Sequence, residues 1–269
     1  MELVQAQTIG KTTASDKAPS IDDCRIKASD AIAADVYVAK IGNTNKFSKG
    51  NISAWTGAAK SKKTFAITML GSAMMGGVNL YDKFHAFAEN DLLWIDTEQS
   101  PHDAQKIAKR VVKLIGTEKN LYLYGLRPYT PEERVTMISE ALKKHKCDVL
   151  IIDGARDLLM NINDPVESTI ISTQLMKWSY DYNIHIAIVL HKSANGMRGH
   201  LGTELENKSE TVIEVKRNEE DINISEIKEV YGRGKGFEPF SFFIDDNGLP
   251  VVGDVDLSVE VSSVDDIPF

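Results

Sequence analysis

The chain has 269 residues, 42% of them hydrophobic and 26% charged, so it can bury the core of one domain or of one domain with appendages. Two distant cysteines, Cys24 and Cys147, exclude a disulfide framework and a C-x-x-C zinc pair, and they suit a reducing compartment. A net charge of −8 excludes nucleic-acid binding driven by overall charge and leaves room only for a local basic stripe.

Residues 1–20 are polar and lack apolar periodicity, which predicts a flexible arm. They show no basic-then-apolar leader, so the expected location is cytoplasmic. They do contain Gly10-Lys11-Thr12, but no strand precedes it and no apolar helix follows. Residues 21–50 read as a lead-in with a short helix over Asp30–Ala39. From 51 to about 250, strands and helices alternate.

Ile52-Ser53-Ala54-Trp55 reads as a short strand, and the octapeptide Gly57-Ala58-Ala59-Lys60-Ser61-Lys62-Lys63-Thr64 follows it. This is G-x-x-x-x-G-K-[ST] with Lys62 in place of the second glycine. Such a loop turns backbone N–H groups around phosphates at the positive end of the next helix, so Gly57, Lys60, Ser61, Lys62, Lys63 and Thr64 are the expected nucleotide-binding residues. Lys63 would reach the β- and γ-phosphates of ATP, and the Thr64 hydroxyl would hold Mg²⁺. Lys62 either adds charge beside the phosphates or points away into solvent. The uncharged run Phe65 to Tyr81 is interrupted by Gly71, Gly76 and Gly77, which predicts a buried helix and not a membrane span.

Further on, Asp91-Leu92-Leu93-Trp94-Ile95-Asp96 reads as a strand that delivers Thr97 and Glu98. A carboxylate just past a strand end can polarise an attacking water, the role assigned to Glu98. Ser100-Pro101 then opens a helix that Gly116 stops. Leu121–Tyr124 is the next strand, and Thr130-Pro131 starts a helix ending near Lys146. Val149-Leu150-Ile151-Ile152 is fully apolar and ends in Asp153, placed to support Mg²⁺. Asp164-Pro165 opens another helix, and Ile184–Leu190 is a fourth buried strand before His191. Continuous apolar strands separated by helices predict a mainly parallel sheet covered on both faces. After about 210, three strands without intervening helices predict an antiparallel extension.

This order of motifs resembles the RecA-type core over roughly residues 48–250, most closely its RepA-like and DnaB-like ring helicases and its RadA-like or short phage recombinases. The resemblance implies an α/β, RecA-like ATPase using ATP and Mg²⁺. It further implies that Glu98 is the water-activating base, Asp153 the Walker B aspartate and His191 the sensor. The Gly-rich basic stretch from His191 to Thr203 matches the channel loop that grips single-stranded DNA, with Lys192 and Arg198 as phosphate contacts. Arg233 and Lys235, in Tyr231-Gly232-Arg233-Gly234-Lys235-Gly236, match fingers that reach a neighbour's γ-phosphate, so a homo-oligomeric ring or filament is implied.

Residues 251–269 carry five acids without Lys or Arg and end in Asp265-Asp266-Ile267-Pro268-Phe269. This end resembles the acidic tip of bacterial single-stranded-DNA-binding proteins and implies partners that read that tip. The reading as a whole is a DNA-dependent ATPase of replication or recombination, on a phage or mobile element and without membrane association. The alternative is an ATP-gated loading module that does not translocate.

Overall fold

The computed structural model describes residues 20–253 apart from 194, 195 and 198. The expected arm, the DNA contact Arg198 and the acidic tip Asp265–Phe269 lie outside the described residues. Contacts divide the chain into two units, one ending at Ala34 and one beginning at Asp35. The described part of the first unit holds a single turn of 3₁₀ helix, Ile21–Cys24, capped by the Ser20 hydroxyl, which accepts the N–H of Asp22.

The second unit opens with the hairpin β1 (Tyr37–Ile41) and β2 (Thr44–Ser48). The helix expected over Asp30–Ala39 is therefore absent. Tyr37-Val38-Ala39-Lys40-Ile41 reads equally as a strand ahead of a Gly42-Asn43 turn, and packing decides in favour of the strand. These strands join β4 (Asn79–Leu80) and β5 (Phe84–Ala86) in a four-stranded antiparallel sheet, ordered β2-β1-β5-β4.

The main sheet has nine strands. Its parallel part contains β3 (Ile52–Thr56), β6 (Leu92–Asp96), β7 (Leu121–Gly125), β8 (Val149–Asp153), β9 (His185–Val189) and β12 (Thr211–Arg217). A short pair, β10 (Lys192–Ser193) and β11 (Gly196–Met197), follows β9 outside this sheet. The antiparallel extension is β13 (Ile224–Gly232), β14 (Phe240–Ile244) and β15 (Pro250–Val252). The full order is β15-β14-β13-β12-β3-β9-β8-β6-β7. A mainly parallel sheet with antiparallel C-terminal strands is the RecA-like arrangement that the sequence predicts.

Helices cover both faces. On one side lie α1 (Lys63–Gly76) and α2 (Pro101–Ile115), packed on Trp55, Trp94, Ile151 and Val189. On the other lie α3 (Pro131–Lys144), α4 (Pro165–Asp181) and α5 (Gly199–Lys208), packed on Ala54, Leu93, Ile152 and Ile188. Neighbouring residues of each strand thus serve opposite layers, which is why these strands are apolar throughout.

The helix starts follow the sequence signals. The Ser100 hydroxyl accepts the Asp103 N–H, Thr130 and Glu133 form a reciprocal capping box, and Asp164 accepts the N–H groups of Val166 and Glu167. Each cap is worth about 1 kcal/mol. Gly116 ends α2 in the left-handed conformation, as expected. α1 differs: it has no side-chain cap, no acid in its first turn, and eleven buried residues among its fourteen. Its apolar surface is shared between the main sheet and the small one, since Val38, Ile41 and Phe84 belong to the same core as Ile67, Leu70 and Met74. α5 lies where the sequence suggested a loop running to Thr203. Among the described residues, no helix is long and apolar enough to cross a membrane.

Candidate nucleotide site

The carboxyl ends of adjacent parallel strands are where an α/β sheet offers its binding crevice. Here β3, β9, β8 and β6 are neighbours, and they deliver Gly57, His191, Asp153 and Glu98 to one edge. A cavity of about 320 Å³ lies there, lined by Lys60 to Phe65, Glu98, Gln99, Arg110, Asp153 and Val189 to His191.

Gly57 has φ 158°, and a Cβ on it would lie 2.3 Å from the Val215 carbonyl oxygen and 2.5 Å from Ser61 Oγ. Only glycine fits between the loop and β12. Gly154, with φ 100°, is required in the same way: a Cβ would lie 2.2 Å from Thr97 Oγ1 and 2.8 Å from Glu98 Cγ. The Asp153-Gly154 pair therefore gives Glu98 passage into the cavity.

Lys63 curls back over its own loop. Its Nζ donates to the carbonyl oxygens of Gly57 at 3.0 Å and Ala58 at 2.9 Å, and to His191 Nδ1 at 3.3 Å. Burial pushes the Lys63 ammonium below its ordinary range, against the opposing pull of Asp153 and Glu98. Lys63 has only protons to give, so His191 Nδ1 accepts and Nε2 carries the ring proton. That Nε2–H reaches Glu98 Oε1 at 3.2 Å. The His191 hydrogen bond is the main reason the Glu98 carboxyl sits below the usual carboxylate range. Glu98, His191 and the loop lysine thus form one hydrogen-bonded chain.

Thr64 Oγ1 donates to Asp153 Oδ2 at 2.8 Å. Burial pushes Asp153 up to about 7, with Asp96 and Glu98 adding to the rise. Asp96 stands beside it in register and is fully buried. Its Oδ1 accepts the N–H groups of Glu98 and Gln99, whereas Oδ2 has no partner, and burial raises its pKa too.

The donor set fits a magnesium nucleotide. Ser61 Oγ and the Nε and Nη1 groups of Arg110 are buried without hydrogen-bond partners, and both residues line the cavity. An uncapped helix start lies beside them, as an anion site requires. Among the described residues no group of three His, Cys, Asp or Glu forms a metal cage. Mg²⁺ needs none, because it is held through one or two carboxylates together with substrate phosphates. Thr64 and Asp153 would hold it.

Sequence reasoning missed Arg110. Its guanidinium carbon lies 3.9 Å from the centre of the Phe65 ring, and burial lowers its pKa to about 10. Within Lys109-Arg110 it looks like part of a solvated face. Its spacing from Ile107 and Val111, both buried, was the available signal that it flanks the apolar stripe.

Other expected residues lie elsewhere. The Lys62 ammonium is not directed at the loop centre: it donates to the Ile222 carbonyl at 2.7 Å and to Ser225 Oγ at 3.3 Å. Lys60 is exposed at the cavity rim. Lys192 pairs with Glu214 at 2.6 Å, and Glu214 also meets Lys228 at 3.3 Å. Arg233 donates its N–H to Glu210 O at 3.0 Å and Nη2 to Lys208 O at 3.3 Å. Thr211 pairs with Gly232, so Arg233 stands at the amino end of β12, across the sheet from the phosphate loop. Lys235 lines a separate depression with Asn43, Thr44 and Lys83. Neither residue serves the cavity of its own chain.

No curated protein matches the chain. The family model described as AAA domain matches residues 26–197, more than half of its length and inclusive of every cavity-lining residue named above. On that match, joined to the connected Lys63, Thr64, Glu98 and Asp153, the chain belongs to the AAA domain family and is a nucleotide-binding P-loop ATPase.

Proposed function

We propose that this ATPase acts on single-stranded DNA as a homo-oligomer in replication or recombination, as a RepA-like helicase or a short phage-type recombinase. The observation that carries the reading is the convergence of Lys63, Thr64, Asp153, Glu98 and His191 on one cavity at the edge of a RecA-like sheet. When bound, Mg²⁺ supplies charge neutralisation of the phosphates. Lys63 exchanges its two loop carbonyls for phosphate oxygens. Thr64 and Asp153, now hydrogen-bonded to each other, would hold the ion. Glu98, kept ionised by His191, orients and polarises the attacking water. His191 links Glu98 to Lys63, so the occupancy of the phosphate position is felt at the base.

Two features support action on DNA within an oligomer. The basic segment containing Lys192 and Arg198 follows β9, the strand that also delivers His191. Arg233 and Lys235 lie away from their own cavity, where only a neighbouring subunit's phosphates would be within their reach. Lys192 would exchange Glu214 for a DNA phosphate, which would add a salt-dependent contribution to binding. We further propose that Asp265, Asp266, Ile267, Pro268 and Phe269 recruit proteins that read the single-stranded-DNA-binding-protein tip.

The test is ATP turnover with and without oligo-dT, in wild type and Lys63→Ala. DNA-stimulated turnover that disappears in the variant is expected. Turnover indifferent to DNA refutes the motor and leaves the loading module. Fork unwinding then separates helicase from recombinase. Images with an ATP analogue and oligo-dT are expected to show rings or filaments, and uniformly monomeric particles refute the oligomer. Removal of Phe269 is expected to abolish capture by a tip-reading protein, and unchanged capture refutes the tail's role.

A further inference from the structure

Lys62 stands where the loop consensus has glycine, and its backbone is left-handed with φ 66° and ψ 30°. A side chain pays for that conformation where glycine does not. Something in the fold must hold it there. The Lys62 ammonium bonds Ile222 O at 2.7 Å and Ser225 Oγ at 3.3 Å, across 160 residues of sequence. Ile222 lies in the turn between β12 and β13, and Ser225 is fully buried in β13.

The turn that accepts Lys62 is built independently of it. Asn218 Oδ1 accepts the N–H groups of Glu220 and Asp221, and Asp221 Oδ1 accepts that of Asn223. The Ile222 carbonyl is thus a fixed acceptor. The same hairpin also meets the other end of the phosphate loop, since Val215 O on β12 closes on Gly57. Both ends of the loop are therefore seated on one hairpin. Around the ammonium, Arg217 repels and Asp221 attracts.

We propose that Lys62 is a positioning residue that clamps the phosphate loop to the β12–β13 turn, so that phosphate binding and the seating of this hairpin depend on one another. The proposal rests on the nucleotide-site reading and adds to it a route out of the site. β13 runs from Ile224 beside the clamp, past one register shift opposite Val212 and Ile213, to Gly232, next to Arg233 at the opposite edge of the sheet. A glycine at position 62 would leave the loop strain-free but disconnected from that strand.

The experiment uses the full chain with Lys62→Met, Lys62→Gly and Lys62→Arg, and Lys63→Ala as control. Two quantities are read: the affinity for a fluorescent ADP analogue with Mg²⁺, and hydrogen-exchange protection of amides 218–224 with and without ADP. Lys62→Met keeps the strain and loses the clamp, so affinity is expected to fall about tenfold, and the ADP-dependent change in protection at the turn to vanish. Lys62→Arg is expected to restore both. Lys62→Gly is expected to restore affinity, because the strain is gone, while the coupling to the turn stays lost. Wild-type affinity and coupling in Lys62→Met would overturn the proposal. So would a Lys62→Gly variant as weak as Lys62→Met, because that places the ammonium on the phosphates themselves. If Lys63→Ala binds ADP as the wild type does, the nucleotide-site reading fails first and is identified as the failure.

Discussion

Replacing Asp153 with asparagine measures how strongly the site resists its own negative charge. Asp153 is 6% exposed, and its ordinary value of 3.8 is raised to about 7, with burial as the largest cause. At about 1.36 kcal/mol per pH unit, that rise corresponds to roughly 4 kcal/mol set against the ionised, nucleotide-free protein, an upper bound on what the substitution can return. The sign follows from a folded value above the unfolded one. The stabilising contribution of the neutral acid is fully present below about pH 4 and is lost as the pH rises through 7. Asparagine is neutral throughout and still offers an oxygen to the Thr64 hydroxyl. The variant is therefore expected to melt within a few degrees of the wild type at pH 4.5 and further above it at pH 8, by up to about 10 °C at a few degrees per kcal/mol. Thermal melts at the two pH values, without nucleotide, are the assay. Adding Mg²⁺ and ADP should then stabilise the wild type far more than the variant. A variant that melts below the wild type at pH 8, or that gains equally at both pH values, refutes the reasoning.

Three further outcomes are expected. Glu98→Gln should bind nucleotide yet lose turnover by about 10²- to 10⁴-fold in a phosphate-release assay, because it keeps a partner for His191 but cannot take a proton. Gly57→Ala should lose nucleotide binding and about 1–3 kcal/mol in urea denaturation, since its Cβ would lie 2.3 Å from Val215 O. Glu229→Gln should cost about 3–5 kcal/mol in the same measurement, with nucleotide affinity nearly unchanged. The amide oxygen can still accept from the buried Lys46 ammonium, now 2.5 Å from Glu229 Oε1, but the charge of that ammonium is left uncompensated, at a point remote from the cavity.

The elements most legible in the sequence were those specified by local chemistry. Ser100, Thr130 and Asp164 announce α2, α3 and α4 because the same side chains that mark the sequence make the cap bonds. The strands ending in Asp96 and Asp153 were readable because a strand buried on both faces must be apolar throughout. The helix expected over Asp30–Ala39 gives way to β1 because a five-residue strand carries too little pattern to separate period 2 from 3.6; its hairpin partner β2 is adjacent, but its other partner β5 lies more than forty residues downstream. α5 was hidden behind Gly196, Gly199 and Gly202, which mark loops when they stand alone. At the site, residue types were legible and partners were not. The anchoring of Lys62 to Ile222, the pairing of Lys192 with Glu214 and the burial of Arg110 all depend on segments brought together only by the sheet order.

Among the described residues, α2, α3 and α4 each carry their own polar cap, and the most deeply buried helix, α1, does not. The groups that would finish that helix are ones a bound nucleotide would supply. Ligand would thus act as a missing piece of secondary structure, and the stability of the fold would report the nucleotide around it. A ligand at a hundred times its dissociation constant adds about 2.7 kcal/mol to any fold that binds it. In this chain that increment enters at the centre of the core, through the helix on which both sheets are packed.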